Sequence, residues 1–259
     1  MSPFRRLPTI FTNCVSLITA YSAGSQTPSA GGKSAWPTAK VIKLVVGYPP
    51  GGGIDFTART IQAPLAEALK PQVVVDYKPR ASGMLAATEL NRTAADVYTL
   101  LVANTGPFAI APYMLKQQPH DPLRQSTYIG QISQSSFVVA VKKDHVAKDL
   151  KEFITWALAN SGKVNFVSGG NGTSTHLNGE LMNQATGLDM THVPYKGSAP
   201  ALQDLLGGQT HLLIDAVLPQ VKGGTLRALA VTGPVRDPQI PDVPTVRELG
   251  LSAMETVGF

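Results

Sequence analysis

One cysteine, Cys14, occurs in 259 residues, and it sits near the N-terminus. If the leader that carries it is removed, disulfides, cysteine-ligated zinc and thiol nucleophiles are all excluded. Charge is sparse as well: Asp, Glu, Lys and Arg make up 15% of the chain, and the formal net charge is +5. The basic residues are scattered rather than gathered into the stripe that nucleic-acid binding needs, so no nucleic-acid partner is expected. No apolar run reaches the length of a spanning helix. The five histidines, at 120, 145, 176, 192 and 211, form no H-x-x-x-H or H-E-x-x-H pair, so neither a metal site nor a cofactor is expected. The chain also lacks a G-x-S-x-G elbow, and Ser174 and His176, two residues apart, do not by spacing make a nucleophile and its base.

What is present is a globular composition, 43% hydrophobic. The first residues stand apart. Arg5 and Arg6 precede a mildly apolar stretch, Leu7–Tyr21, and small residues follow, after which Ser, Thr, Pro, Gly and Ala dominate to Trp36. That order predicts an export signal and flexible leader over residues 1–30, cleaved on the way to the periplasm.

From residue 41 the sequence alternates between short β-branched runs and helical spacing. Strands are predicted at 41–47, 73–76, 98–103, 137–141, 164–167, 192–195, 212–214 and 226–231, the last being the final clear strand. Helices are predicted at 55–69, at 150–158, from the end of the 168–175 loop to Thr186, and at 199–206, with Pro64 expected to kink or split the first. The alternation argues for an α/β fold with mostly parallel sheets.

Two glycine-rich loops each follow a strand and open a helix: Tyr48-Pro-Pro-Gly-Gly-Gly-Ile-Asp55 and Ser168-Gly-Gly-Asn-Gly-Thr-Ser-Thr175. Free backbone N–H groups and the positive end of a helix suit such loops to a carboxylate or phosphate. The first is neither a P-loop nor a dinucleotide fingerprint, because no Gly-Lys-Ser/Thr follows and Gly51, Gly52 and Gly53 are consecutive. Capping is the competing role for Asp55 and for the hydroxyls of Thr173, Ser174 and Thr175. Two such loops in one chain point towards a ligand with two anionic ends.

Several longer segments carry a family resemblance: IKLVVGYPPGGGID (42–55), YTLLVANTGPFAIAP (98–112), GNGTSTHLNGEL (170–181), HVPYKGSAPALQDLLGGQ (192–209), LRALAVTG (226–233) and PDVPTVRELG (241–250). Together they resemble the Bug-type substrate-binding proteins of tripartite tricarboxylate transporters. The resemblance implies a two-lobed flytrap fold of the periplasmic type, with residues 31–138 and 235–259 in one lobe and 139–234 in the other. It implies a non-enzymatic, monomeric binding protein that serves membrane transporter subunits. The ligand would be a small carboxylate: a di- or tricarboxylate, an acidic amino acid or an aromatic acid. By the same resemblance, the carboxylate is held by Tyr48, Pro50, Gly51, Gly52, Gly53 and Asp55 in one loop and by Gly170, Gly172, Thr173, Ser174, Thr175 and His176 in the other, partly through water. Asn104 and Thr105 would line the cleft, and Tyr195 and Asp215 would contribute to it.

The sequence departs from the family pattern in three places. Pro79-Arg80-Ala81-Ser82-Gly83 stands where Pro-Gly-Ala-Gly-Gly is usual, with bulkier residues that would change how that loop meets the cleft. Val97 replaces a turn glycine. The chain ends at Phe259, where family members continue, and so reads as truncated at the C-terminus. A ligand sensor feeding a signalling partner, a hydrolase or transferase using Ser174 and His176, and a non-functional truncated paralogue are the alternative readings.

Overall fold

The computed structural model describes residues 36–114 and 120–259. The leader and Cys14 lie outside the described residues.

The first sheet is built from β1 (Ile42–Val46), β2 (Val73–Tyr77) and β3 (Thr99–Val102), in the order β2-β1-β3 and wholly parallel. β1 is central because it is the most apolar of the three. Ile42, Leu44, Val45 and Val46 are all buried, and Leu44 lies in register with Val75 on one side and Leu100 on the other. The helix α1 (Gly53–Leu69) crosses from β1 to β2 and puts Ala58, Ile61, Leu65 and Leu69 on that core, as a right-handed parallel crossover demands. The expected break at Pro64 does not occur: α1 runs through it. Thr60 and Pro64 both face solvent, so water can satisfy the carbonyl that the missing N–H leaves free. The short α2 (Met84–Leu90) connects β2 to β3, and α3 (Ala111–Met114) follows a π-helical turn at Gly106–Ile110.

The second sheet has five strands, β5 (Val138–Lys142), β6 (Asn165–Ser168), β7 (Thr191–Pro194), β8 (Leu212–Asp215) and β9 (Leu226–Val231), in the order β7-β6-β8-β5-β9. β6 runs parallel to both β7 and β8, but β5 is antiparallel to β8 and β9, so this sheet is mixed. Period-two alternation sends Val139 and Val141 to one face and Val138 and Ala140 to the other. The first face is covered by α4 (Leu150–Ala159) and α5 (Ser174–Thr186) around Phe153, Phe166 and Met182. α6 (Ser198–Leu206) and α7 (Leu218–Lys222) lie over the second. Asp149 caps α4 by accepting from the Glu152 N–H, and Gly187 closes α5 in the left-handed region, with its N–H on Asn183.

A two-strand antiparallel pair of β4 (Ser135–Ser136) and β10 (Val257–Gly258) was not expected beyond β9. The preceding stretch packs under the second sheet, where Val246 and Met254 join its core, while the Phe259 N–H donates to Thr105 Oγ1.

Candidate functional site

The parallel strands of both sheets stop at matched levels, Val46 with Tyr77 and Val102 in one, Ser168 with Pro194 in the other. The loops at their carboxyl ends therefore collect in one place, the usual position for a ligand in an open α/β sheet. Between them lies a cavity of about 740 Å³. The first sheet contributes Gly47, Tyr48 and Pro49 after β1, Pro79–Ser82 after β2, and Gly106 and Pro107 after β3; Met84, Ala111 and Met114 extend that wall. The second contributes Gly169–Gly172 after β6 and Pro194–Lys196 at the end of β7.

The two walls touch around this cavity. A Cβ at Gly170, whose φ is +129°, would lie 2.7 Å from Ser82 Oγ and 3.1 Å from the Tyr195 carbonyl. A Cβ at Gly197, φ +121°, would lie 2.9 Å from Pro49 Cδ. At both positions only glycine combines the backbone angle with the close approach.

Tyr48 ties the first wall together. Its hydroxyl donates to the Ser82 carbonyl (2.7 Å) and accepts from Asn104 Nδ2 (3.1 Å). Burial pushes its pKa up to about 12, so it stays a neutral phenol. Asp55, only 6% exposed, reaches back from the first turn of α1 and accepts from the Gly51 N–H (2.8 Å), Arg59 Nε (2.8 Å) and the Tyr77 hydroxyl (2.5 Å). Burial alone would raise its pKa, but these three hydrogen bonds and the Arg59 charge outweigh that and hold the carboxyl below its ordinary range. Asp55 thus holds the glycine loop through Gly51, the residue before the Gly52 N-cap.

The second loop is knitted in the same manner. Thr173 caps α5: its Oγ1 accepts from the His176 N–H and donates to the Gly170 carbonyl (2.7 Å). The Gly169 N–H donates to Thr175 Oγ1, the Gly170 N–H to Ser168 Oγ and the Gly172 N–H to His176 Nδ1. The first N–H groups of α5, at Ser174 and Thr175, have no intrahelical acceptor by position, and Gly169–Gly172 leads directly into them. Behind the loop the rings of Phe166, His192 and His176 stack, with centroids 4.9 and 4.0 Å apart. Burial, with the His176 charge second, lowers the His192 pKa to about 4. His192 Nε2 lies 2.6 Å from Ser168 Oγ. His176 turns its ring nitrogens to Gly172 and towards Glu180, 3.6 Å away, and not to Ser174, so no nucleophile–base pair forms.

Of the residues expected at the site, Tyr48, Gly170, Gly172 and Tyr195 line the cavity. The Tyr195 hydroxyl donates to the Asp204 carboxylate, which is the main reason its pKa rises to about 12. Gly51 and Gly52 face the start of α6, near Ala199 and Ser198, and Pro50 is exposed. Gly53, Asp55, Thr173, Ser174, Thr175 and His176 are not among the lining residues. Asn104 borders a small neighbouring pocket, and Thr105 meets the Phe259 backbone. Asp215, at the end of β8, is 8% exposed; its Oδ1 accepts from the Ala216 N–H, and its Oδ2 has no partner among the described residues. Burial raises its pKa, and the nearby Ser198 hydroxyl pulls the other way without reaching hydrogen-bond geometry.

The lining residues that sequence reasoning did not assign to the site include Arg80, Met84, Pro107, Met114 and Lys196. Arg80 carried a signal, as did Ser82, both as departures from the family pattern. Among the described residues no cluster of His, Cys, Asp and Glu could hold a metal ion.

Residues 57–259 match the model of the tripartite tricarboxylate transporter family receptor. The chain belongs to that family. Members of this receptor family are periplasmic binding proteins rather than enzymes, and the α/β fold is theirs. A Cupriavidus necator relative is 36% identical over 220 residues, covering 84% of this chain and 67% of that protein. BugT of Bordetella pertussis is 33% identical over 216 residues, 82% of this chain and 66% of its own. The chain thus spans about two thirds of the length of the curated relatives it matches. Among solved structures, a periplasmic transporter superposes with a TM-score of 0.82 at 36% identity, covering 86% of this chain and 76% of the other. A Rhodopseudomonas palustris protein solved with adipate gives 0.82 at 32% identity, over 86% and 75%. The R. palustris protein MatC with bound malate gives 0.80 at 29%, over 85% and 76%.

Proposed function

We propose that this receptor captures a small carboxylate in the cavity between its two sheets and presents it to the membrane subunits of a tripartite tricarboxylate-type transporter. The observation that carries the reading is the make-up of the cavity: the glycine-rich loop 169–172 of the second sheet faces it and leads into the N-terminus of α5, Gly47, Tyr48 and Gly106 face it from the first sheet, and among the described residues no Asp or Glu lines it. Family relatives solved with malate and adipate support the same ligand class.

The two sheets mark the two lobes in this reading, residues 31–138 with 235–259 in one and 139–234 in the other. The segment 235–259 ties them together, through Val246 and Met254 under the second sheet and Phe259 at Thr105. Ligand favours the closed form only by as much as it binds that form better. Tyr48 and the knitted loop 169–176 supply a rigid frame, so ordering costs little on binding. Periplasmic residence follows from the same role.

A thermal-shift screen of mono-, di- and tricarboxylates, acidic amino acids and neutral sugars tests the proposal. Binding to the folded state alone raises Tm by mass action. A rise with at least one carboxylate and none with the sugars is expected. A flat response to every carboxylate from a cooperatively melting protein would overturn the reading.

A further inference from the structure

The pair Asn-Gly occurs twice in the chain, as Asn171-Gly172 and Asn178-Gly179. Asn before Gly is chemically labile, because glycine has no side chain to keep its amide nitrogen from the Asn carboxamide carbon. The fold gives the two pairs opposite surroundings.

Asn178 is 2% exposed inside α5, and its Oδ1 accepts from Thr256 Oγ1 (2.7 Å). The Gly179 N–H belongs to the helical ladder, and a Cβ at Gly179 would lie 2.0 Å from the Phe166 ring, so nothing there can move. Asn171 stands on the cavity wall instead. It is exposed, and its carboxamide makes no hydrogen bond to a described residue. It takes the first central position of a tight turn in which the Thr173 N–H donates to the Gly170 carbonyl (3.3 Å). The Gly172 N–H donates to His176 Nδ1 (3.2 Å), which sets a base on the nitrogen next to the Asn171 side chain. Both bonds exceed the common length of about 2.9–3.0 Å, so the turn is weakly held.

We infer that Asn171 is a site of self-modification, converted by its own backbone into aspartate and isoaspartate, and that this conversion switches off anion binding at the 169–172 loop. The Gly172 nitrogen gives its proton to His176 Nδ1 and bonds to the Asn171 carboxamide carbon. The carboxamide nitrogen takes up that proton and leaves as ammonia, which closes a five-membered imide. Water then adds to one of the two imide carbonyls and breaks its C–N bond. The product is a side-chain carboxylate, or a main chain routed through the former side chain. Either product puts a negative charge on a wall where, among the described residues, no Asp or Glu stands. The new carboxylate lies just before the α5 N-terminus, where it stabilises the helix and takes the place of an incoming anion. The loss of binding rests on the carboxylate reading above; the modification does not.

The test is to age the purified full chain in warm, mildly alkaline buffer and follow peptides covering 164–196 by tandem mass spectrometry. A gain of about 1 Da should appear at Asn171. It should form at least about ten times faster there than at Asn178. Asn171→Gln, whose longer side chain disfavours the ring closure, should show no gain at that position, and His176→Phe should slow the gain at Asn171. Binding of the straight-chain dicarboxylates from succinate to suberate should fall in proportion to the converted fraction while Tm holds. Asn171→Asp should weaken that binding more than about tenfold without ageing. Equal conversion of both asparagines, or none at Asn171, would overturn the site. A rate untouched by His176→Phe would overturn the proton transfer, and converted protein that binds as tightly as fresh would overturn the switch. If fresh protein binds none of these acids, the carboxylate reading fails, while the mass record still decides the modification.

Discussion

Along β5, β6 and β8 nearly every residue is buried, whereas β2 and β3 keep one buried residue each. The five-stranded sheet is covered on both faces by helices and has a core on each; the three-stranded sheet gathers its buried residues in a single cluster around β1. Yet both offer the same thing to the cavity, a row of carboxyl-end loops made rigid by internal hydrogen bonds. Loop geometry at a site is therefore set locally, by Asp55 and Tyr48 on one side and by Thr173, Thr175 and Ser168 on the other, and does not require equal cores beneath. Where the cores should differ is in stability, with the first sheet opening before the second.

The widest separation between the two regions should come from core truncation. Phe166 is fully buried beside α5, and Phe166→Ala should cost about 3–5 kcal/mol, read as a lower midpoint in denaturant unfolding. Leu44→Ala, at the centre of the first sheet, should cost about 2–5 kcal/mol. Hydrogen exchange separates the pair: the β1 substitution should release amides of β1–β3 while β5, β6 and β8 stay protected. Equal loss of protection in both sheets would make them one cooperative unit.

Acid should act on the second region next. His192 is held neutral down to about pH 4, against an ordinary value of 6.5. Between those values the unfolded chain binds a proton that the folded protein refuses. Stability is therefore whole above pH 6.5 and falls as the pH drops towards 4. His145 and His211, whose pKa values burial also lowers, add to the same slope. His192→Phe keeps a ring in the stack and should flatten the decline in Tm between pH 6.5 and 4; an unchanged slope would mean that His192 does not titrate in this way.

The smallest effect belongs to the first region and to lower pH. Asp55 has its pKa held below its ordinary 3.8, so its contribution is present above that value and is lost as pH falls through the folded-state pKa. Asp55→Asn should cost about 1 kcal/mol at neutral pH, by weakening the bonds to Gly51, Arg59 and Tyr77, and should remove part of the acid sensitivity below pH 4. An acid profile identical to that of the unsubstituted protein would show that the clamp does not discriminate charge.

Much of this architecture was legible in the sequence, because long apolar runs with period two or 3.6 mark the strands and helices that build each core. β1, α4, α5 and β9 were found that way. The pair β4–β10 was not, since two residues carry no period, and Pro64 misled because its effect depends on which side of the helix meets water. The reversal of β5 relative to β8 also escaped: apolar runs show burial but not direction. At the site, the glycine run 169–172 lies on the cavity wall whereas Gly51, Gly52 and Gly53 do not, and the hydroxyls of Thr173 and Thr175 turn inward to hold their own loop. The lining contributed by Met84, Pro107, Met114 and Lys196 arises only when the two sheets meet, which no local pattern encodes. Arg80 and Ser82 could be singled out beforehand, each through its departure from a family glycine.

The central claim is that one small acid is held by both sheets at once. It is tested most directly by backbone amide chemical shifts during titration with the straight-chain dicarboxylates. The account predicts saturable shifts at Gly47, Tyr48 and Arg80 from the first sheet together with Gly170, Asn171, Gly172 and Lys196 from the second, at one common Kd. Shifts confined to one sheet, or absent from both sets, would contradict it.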